Sequence, residues 1–162
     1  MKPAAFEYQR AETAAEAAAV LAQLGDEARI LAGGQSLMAV LNMRLARPQR
    51  LVDISRSKAL AELRVDGAML HVGAAVTQAT LEWRPGLAQE LPLLALAFPH
   101  ISHFQIRNRG TVAGSIAHLF FVRHATAGNA REPVRARHQD ARRAEAALQL
   151  SLIHISEPTR PY

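Results

Sequence analysis

Two stretches of this 162-residue sequence carry residue types that can hold an anion with backbone and hydroxyl groups. The first is Ile30-Leu31-Ala32-Gly33-Gly34-Gln35-Ser36-Leu37, where an apolar run stops at two glycines and a polar pair opens a helix. A strand, a glycine turn and a helix N-terminus in succession aim several N–H groups at one point, and the helix dipole adds positive potential there. The second is Ile106-Arg107-Asn108-Arg109-Gly110-Thr111-Val112-Ala113-Gly114-Ser115-Ile116-Ala117-His118. Arg107 and Arg109 flank a turn, Thr111 and Ser115 supply hydroxyls, and Ala113-Gly114 has almost no side chain, so a ligand can lie against the backbone. The chemistry this points to is the cradling of a dinucleotide pyrophosphate, with the second small-residue loop closing over it from the side opposite the first.

Other chemistries are less well served. Gly33-Gly34-Gln35-Ser36-Leu37-Met38 lacks the G-x-G-x-x-G pattern of a Rossmann turn and the lysine of a phosphate-binding P-loop. Asp53 lies about 20 residues on, where a Rossmann ribose-binding acid would stand. Without the glycine fingerprint it reads as a strand-end or cap carboxylate. His100 and His103, then His118 and His124, sit among loop residues without supporting carboxylates, and read as surface or hydrogen-bonding histidines rather than metal ligands. No Ser/His/Asp set and no carboxylate pair spaced for acid–base work is legible. A Gly-Gly turn is also common as plain structure, with Gln35 and Ser36 serving only as a helix cap. The alternative to cofactor binding is therefore a non-catalytic α/β interaction module whose glycine turns are structural.

The elements that must position these stretches follow from the pattern. Phe6-Glu7-Tyr8 alternates like a short strand. Thr13-Ala14-Ala15-Glu16 has capping-box spacing before an alanine-rich helix over Ala14–Leu24, with Gly25 as its C′ residue. Ala28–Ala32 reads as a strand, and Ser36 to about Leu45 as a helix stopped by Pro48. Arg50–Ile54 reads as a further strand. This order predicts a small α/β lobe over residues 1–56. Leu63–Asp66 and Met69–Val72 flank Gly67-Ala68 as a hairpin. Thr77–Trp83 reads as a short helix capped by Thr77 or Thr80, and Gly86–Phe98 as a helix broken at Pro92. The class is thus α+β, with a second lobe over 57–118.

The totals set bounds. The chain is long enough for one domain or two small lobes with a real core. It has no cysteine, so disulfides, thiolate zinc and cysteine-held iron–sulfur clusters are excluded within it. No apolar h-region follows Met1 and no run approaches a membrane span of roughly 18 residues, so neither a signal peptide nor a membrane span is expected. Together these fit a cytoplasmic location. Residues 1–118 carry twelve Lys and Arg against ten Asp and Glu, so most of the net charge of +5 lies in the last quarter. No basic face with interleaved aromatics forms there, and no nucleic-acid partner is expected.

In combination, Ala32–Leu37, then Leu51-Val52-Asp53-Ile54, then Ile106–Ser115 resemble the FAD-binding medium subunit of molybdenum hydroxylases, the carbon monoxide dehydrogenase/xanthine dehydrogenase family. Phe6-Glu7-Tyr8 and Gly73-Ala74-Ala75-Val76-Thr77 also match, and the similarity covers about residues 1–118. The resemblance implies an FAD-binding domain of the vanillyl-alcohol oxidase (PCMH) type, with an incomplete second lobe. It implies that Ala32, Gly33, Gly34, Gln35, Ser36 and Leu37, with Thr111, Val112, Ala113, Gly114 and Ser115, surround the FAD diphosphate. It further implies two partners, a large molybdopterin subunit and a small 2Fe-2S subunit, with electrons passing from the iron–sulfur clusters through flavin to an acceptor. The protein would supply position and electrostatics, and the flavin the chemistry.

Two features depart from the family. Ala113 stands where the family usually has glycine. After His118 the family continues with an Ala-Asp-Pro-like turn, whereas this chain reads Leu119-Phe120-Phe121-Val122-Arg123 and an Arg/Ala-rich segment. The closing Ser151–Tyr162 resembles the translation of sequencing-adapter read-through. Residues 119–162 are therefore expected to be a frameshifted, artefactual tail that packs poorly. The alternative is a divergent basic tail, helical around Asp140–Leu150.

Overall fold

A computed structural model describes residues 2–67, 69–118 and 155–156. The expectations for residues 119–154 and 157–162 lie outside the described residues.

The N-terminal third alternates strand and helix: β1 (Glu7–Arg10), α1 (Ala14–Leu24), β2 (Ala28–Leu31), α2 (Gln35–Asn42) and β3 (Arg50–Asp53). The sheet order is β1-β3-β2 and both pairings are parallel, with Tyr8 and Arg29 each opposite Leu51, and Gln9 and Ile30 each opposite Val52. The last strand in sequence is thus the central one. That explains its apolar content, because a central parallel strand is covered on both faces, and Leu51, Val52 and Asp53 are all buried.

Helix α1 starts as its capping residues require. Thr13 Oγ1 accepts from the Glu16 N–H (3.2 Å), while Glu16 Oε2 accepts from the Glu12 N–H (2.8 Å), one residue before the expected reciprocal partner. Gly25 follows with φ 53°, and its N–H caps the helix on Leu21 O. Helix α2 ends earlier than the sequence pattern implies. Met43 is its C-cap and Arg44 turns the chain out at φ 57°, so Pro48 is not what stops it.

The second part holds the hairpin β4 (Leu63–Asp66) and β5 (Met69–Val72), then α3 (Gln78–Glu82), α4 (Leu87–Glu90), α5 (Pro92–Ala97) and α6 (Phe104–Arg107). Thr77 is the cap of α3, accepting from the Thr80 N–H (3.1 Å). The two-residue β6 (Ile155–Ser156) pairs antiparallel with β5.

Two apolar cores result. Ala17, Val20, Leu21, Ala28, Val52 and Ile54 form the first, which Leu60, Ala74 and Ala75 also enter from the second part of the chain. Leu70, Val72, Val76, Leu81, Leu87, Leu91 and Phe98 form the second. A seam joins them near residue 111: Thr77 and Thr111 form an antiparallel bridge, Gln78 N–H donates to Gly110 O (2.8 Å), and Val112 N–H donates to Val76 O (3.4 Å).

Asp53 ends β3 as a capping carboxylate. Its Oδ1 accepts from the Ser55 N–H (2.8 Å) and its Oδ2 from the Tyr8 hydroxyl. Burial alone would raise its pKa, but the hydrogen bonds from Tyr8 and Ser55 together outweigh that and hold it below the ordinary carboxylate value. A depressed folded-state pKa contributes stability that is present above the unfolded value and lost as pH falls through the folded one. Tyr8→Phe removes one of the bonds that depress it. Acid unfolding followed by circular dichroism should therefore shift to higher pH in that variant. An unchanged acid midpoint would count against this assignment.

Candidate functional site

The two small-residue stretches meet. Gly33 packs against the backbone of Arg109 and Gly110 so closely that a Cβ on it would stand 2.2 Å from Arg109 O and 2.6 Å from Gly110 Cα. Only glycine permits that approach. Gly34 is the N-cap of α2 at φ 72°, in the left-handed region that glycine occupies without strain. Met38 N–H to Gly34 O (3.0 Å) is the first hydrogen bond of the helical ladder. The N–H groups of Gln35, Ser36 and Leu37 precede it and so have no intrahelical acceptor. The Gln35 side chain folds back, its Nε2 donating to Gly33 O (3.1 Å) and bracing the turn.

The second stretch differs from the loop expected. Thr111 is a helix cap: its Oγ1 accepts from the Gly114 N–H (3.0 Å), its carbonyl accepts from the Ser115 N–H (3.1 Å), and residues 112–118 are helical. The small residues therefore line the first turn of a helix. The sequence reading missed this because a threonine before small residues looks like a turn unless its hydroxyl is recognised as a cap.

Between the stretches lies an open cleft of about 310 Å³, at the small end of the roughly 300–1,000 Å³ usual for small-molecule sites. Of the residues expected at the site, Ala32, Gly33, Gly34, Gln35, Ser36, Leu37, Thr111, Gly114 and Ser115 line it. Val112 and Ala113 do not. Val112 packs on the second core and Ala113 on the first, which seats the start of this helix. Gly110, Arg29 and His118 also line the cleft, though sequence reasoning did not single out Arg29 or His118 for a role. Arg29 carries no motif signal. Its Nη1 donates to Asp26 O (3.0 Å) and Ala28 O (2.8 Å), which holds the cation beside β2.

This donor set suits an anion. The lining offers free helix N–H groups, the exposed hydroxyls of Ser36 and Ser115, and one guanidinium, and no Asp or Glu lines the cleft among the described residues. Nor do the described residues contain a cluster of three or more His, Asp or Glu able to hold a metal ion.

The base of the second stretch is set by an ion pair that the sequence did not reveal. Arg107 grips Glu82 of α3 in bidentate fashion, Nε to Oε2 at 2.8 Å and Nη2 to Oε1 at 3.1 Å, while its Nη1 donates to Ile101 O and Ser102 O, both at 3.1 Å. Both side chains are buried, Arg107 11% and Glu82 13% exposed. Of the two arginines that flank the turn, Arg107 is thus a strut, and Arg109 is exposed.

The model of one protein family, described as the FAD binding domain in molybdopterin dehydrogenase, matches residues 4–142. The chain belongs to this family.

Relatives agree. Over 118 residues, 73% of the chain, it is 46% identical to the 6-hydroxypseudooxynicotine dehydrogenase complex subunit alpha of Paenarthrobacter nicotinovorans, covering 40% of that protein. It is 42% identical to the carbon monoxide dehydrogenase medium chain of Hydrogenophaga pseudoflava, again over 73% of the chain and 41% of the relative. Among solved structures, carbon monoxide dehydrogenase of Hydrogenophaga pseudoflava superposes with a TM-score of 0.69 at 42% identity, over 73% of this chain and 41% of that one. Quinoline 2-oxidoreductase from Pseudomonas putida 86 gives 0.65 at 39% identity, over 71% and 40%. The chain thus spans about two-fifths of the length of these relatives.

Family membership gives the α+β fold of this FAD-binding domain its name, and FAD is the cofactor it indicates. It favours a cofactor domain over an interaction module with merely structural glycine turns. Among the described residues no helix is long and apolar enough to cross a membrane.

Proposed function

We propose that the cleft between Gly33–Leu37 and Gly110–Ser115 holds the diphosphate of FAD, and that the chain is the FAD-binding portion of the medium subunit of a molybdenum hydroxylase. The observation that carries this is the convergence of both stretches on one anion-suited cleft in a member of an FAD-binding family. When bound, FAD would supply the redox chemistry between the iron–sulfur clusters of a small 2Fe-2S subunit and an acceptor. A large molybdopterin subunit would be the second partner.

The residues of this chain bind and orient. The N–H groups of Gln35, Ser36 and Leu37 face the diphosphate with the positive end of the α2 dipole behind them. Gly34 and Gly114 leave the backbone bare, so that the ligand can approach it. Ser36 and Ser115 donate hydroxyl protons, and Arg29, which also pairs with Asp26 at 3.8 Å, adds positive charge at the rim. The small size of the cleft suits the diphosphate portion, with the rest of the ligand extending beyond it. Residues 1–56 form the first FAD-binding lobe and residues 57–118 begin the second. Residues 119–162 are assigned to neither. The complex works in the cytoplasm.

The test is direct. Purified chain incubated with FAD and desalted should retain a flavin absorbance band, and Ser36→Ala with Ser115→Ala should weaken binding by roughly ten-fold, as loss of two bonds to an anion requires. A folded chain that retains no flavin would refute the proposal and leave the structural-turn reading standing.

A further inference from the structure

Gln78 is a deeply placed polar side chain beside the cleft to which the proposed function gives no role. It opens α3 and is 4% exposed. Its backbone N–H holds Gly110 O, and its Nε2 donates to Ser115 Oγ at 2.8 Å, across 37 residues of sequence. Among the described residues its Oε1 has no hydrogen-bond partner, and it stands beside Gly110, 3.5 Å from where a Cβ on that glycine would sit.

Two facts follow from the inventory of donors and acceptors. A hydroxyl offers one proton and two lone pairs. The Gln78 amide occupies a lone pair of Ser115 Oγ, so the Ser115 proton has to point elsewhere. Ser115 is exposed and lines the cleft, and among the described residues its hydroxyl proton has no acceptor. Ser115 lines the cleft, so that proton can be donated to a ligand seated there. The orphaned Oε1 gives the second fact. A buried amide satisfied on one side only is worse for stability than a methionine of similar shape. Packing alone therefore does not account for glutamine at this position.

We propose that Gln78 is a positioning residue that fixes Ser115 as a hydrogen-bond donor into the cleft, biasing the site towards ligands that present anionic phosphate oxygens. The inference rests on the reading of the cleft as a diphosphate site. It also explains why α3 is tied to the second stretch by both backbone and side chain: the two bonds set the height and the polarity of one hydroxyl.

The experiment compares ligands with and without phosphate on the full 162-residue chain, by titration calorimetry with FAD, ADP, riboflavin and adenosine. Gln78→Met should weaken FAD and ADP by roughly five-fold, the worth of one oriented hydrogen bond, and leave riboflavin and adenosine unchanged. Ser115→Ala should weaken the same two ligands. Adding Gln78→Met to it should bring no further loss, because the hydroxyl through which the Gln78 amide is proposed to act has been removed. Equal weakening of phosphorylated and neutral ligands, or additive losses in the double variant, would make Gln78 a merely structural strut and overturn the proposal. An unchanged FAD affinity in Gln78→Met overturns it as well. A wild-type chain that binds none of the four overturns the diphosphate site itself.

Should Gln78→Met fail to fold, the wild-type chain still decides. The ¹⁵N-labelled Gln78 side-chain amide should shift on addition of ADP and stay in place with adenosine. An amide that ignores ADP overturns the proposal.

Discussion

Gly33→Ala should lower the melting temperature of the chain by roughly 6–12 °C, the equivalent of about 3 kcal/mol for a domain of this size. The new methyl would stand 2.2 Å from Arg109 O, 2.6 Å from Gly110 Cα and 2.8 Å from Arg109 C, all of them backbone atoms. No side-chain rotation relieves such a contact, so the two anion-facing stretches must move apart. Flavin retention after desalting should fall with the stability. Ser36→Ala is the matching control, because Ser36 is exposed and its loss should leave the melting curve within about 1 °C. Calorimetric scans of the three proteins check this. A Gly33→Ala chain that melts with the wild type would show that the stretches are not in the contact described.

Arg107→Ala should cost about 3–5 kcal/mol, because it leaves the buried Glu82 carboxylate without its partner and frees two carbonyls, Ile101 O and Ser102 O. Urea denaturation reads this as a lower midpoint at similar slope. The double variant Arg107→Met/Glu82→Leu should recover most of the loss, since apolar groups of similar volume often replace a buried pair at little cost. The comparison separates two accounts of the pair. If both variants are equally unstable, the carbonyl contacts from Nη1 matter more than the charge. If Arg107→Ala is mild, the pair is not buried as described.

The first stretch was legible from the sequence because its signal is local. An apolar run, two glycines and a polar pair fix strand, turn and helix start within eight residues, and the left-handed Gly34 sits where that pattern requires. The hairpin and α1 were legible for the same reason, and of the two caps the sequence allows for α3, Thr77 and Thr80, the structure uses Thr77. The second stretch was half legible. Its composition announces a close backbone approach, but the sequence makes Thr111 a hydroxyl donor of a small-residue loop, whereas its hydroxyl caps residues 112–118. That helix turns Val112 and Ala113 into the cores and leaves Gly114 and Ser115 in the cleft.

What stayed hidden depends on long-range pairing. Arg107 finds Glu82 across 25 residues, and Gln78 finds Ser115 across 37. Neither partner carries a spacing rule, so no local pattern reports them. The parallel order β1-β3-β2 was hidden likewise, because alternation of strand and helix does not say which strand takes the middle.

That strand order has a consequence for how the chain is made. Synthesis runs from the N-terminus, and α1, though capped and alanine-rich, has only 11 residues and is marginal on its own when Gly25 has emerged. The strands β1 and β2 on either side of it have nothing to pair with at that moment, because among the described residues each pairs with β3, residues 50–53. The first sheet therefore closes in one late event, when the central strand arrives between two waiting edges. Until then Tyr8, Ile30 and Leu31 have no sheet to join, and the turn at Gly33-Gly34 has no paired strand to set its angle. On the ribosome, a nascent chain halted before Arg50 should be at most partly helical and open to proteases along both flanking strands, and one extended past Asp53 should close as a unit.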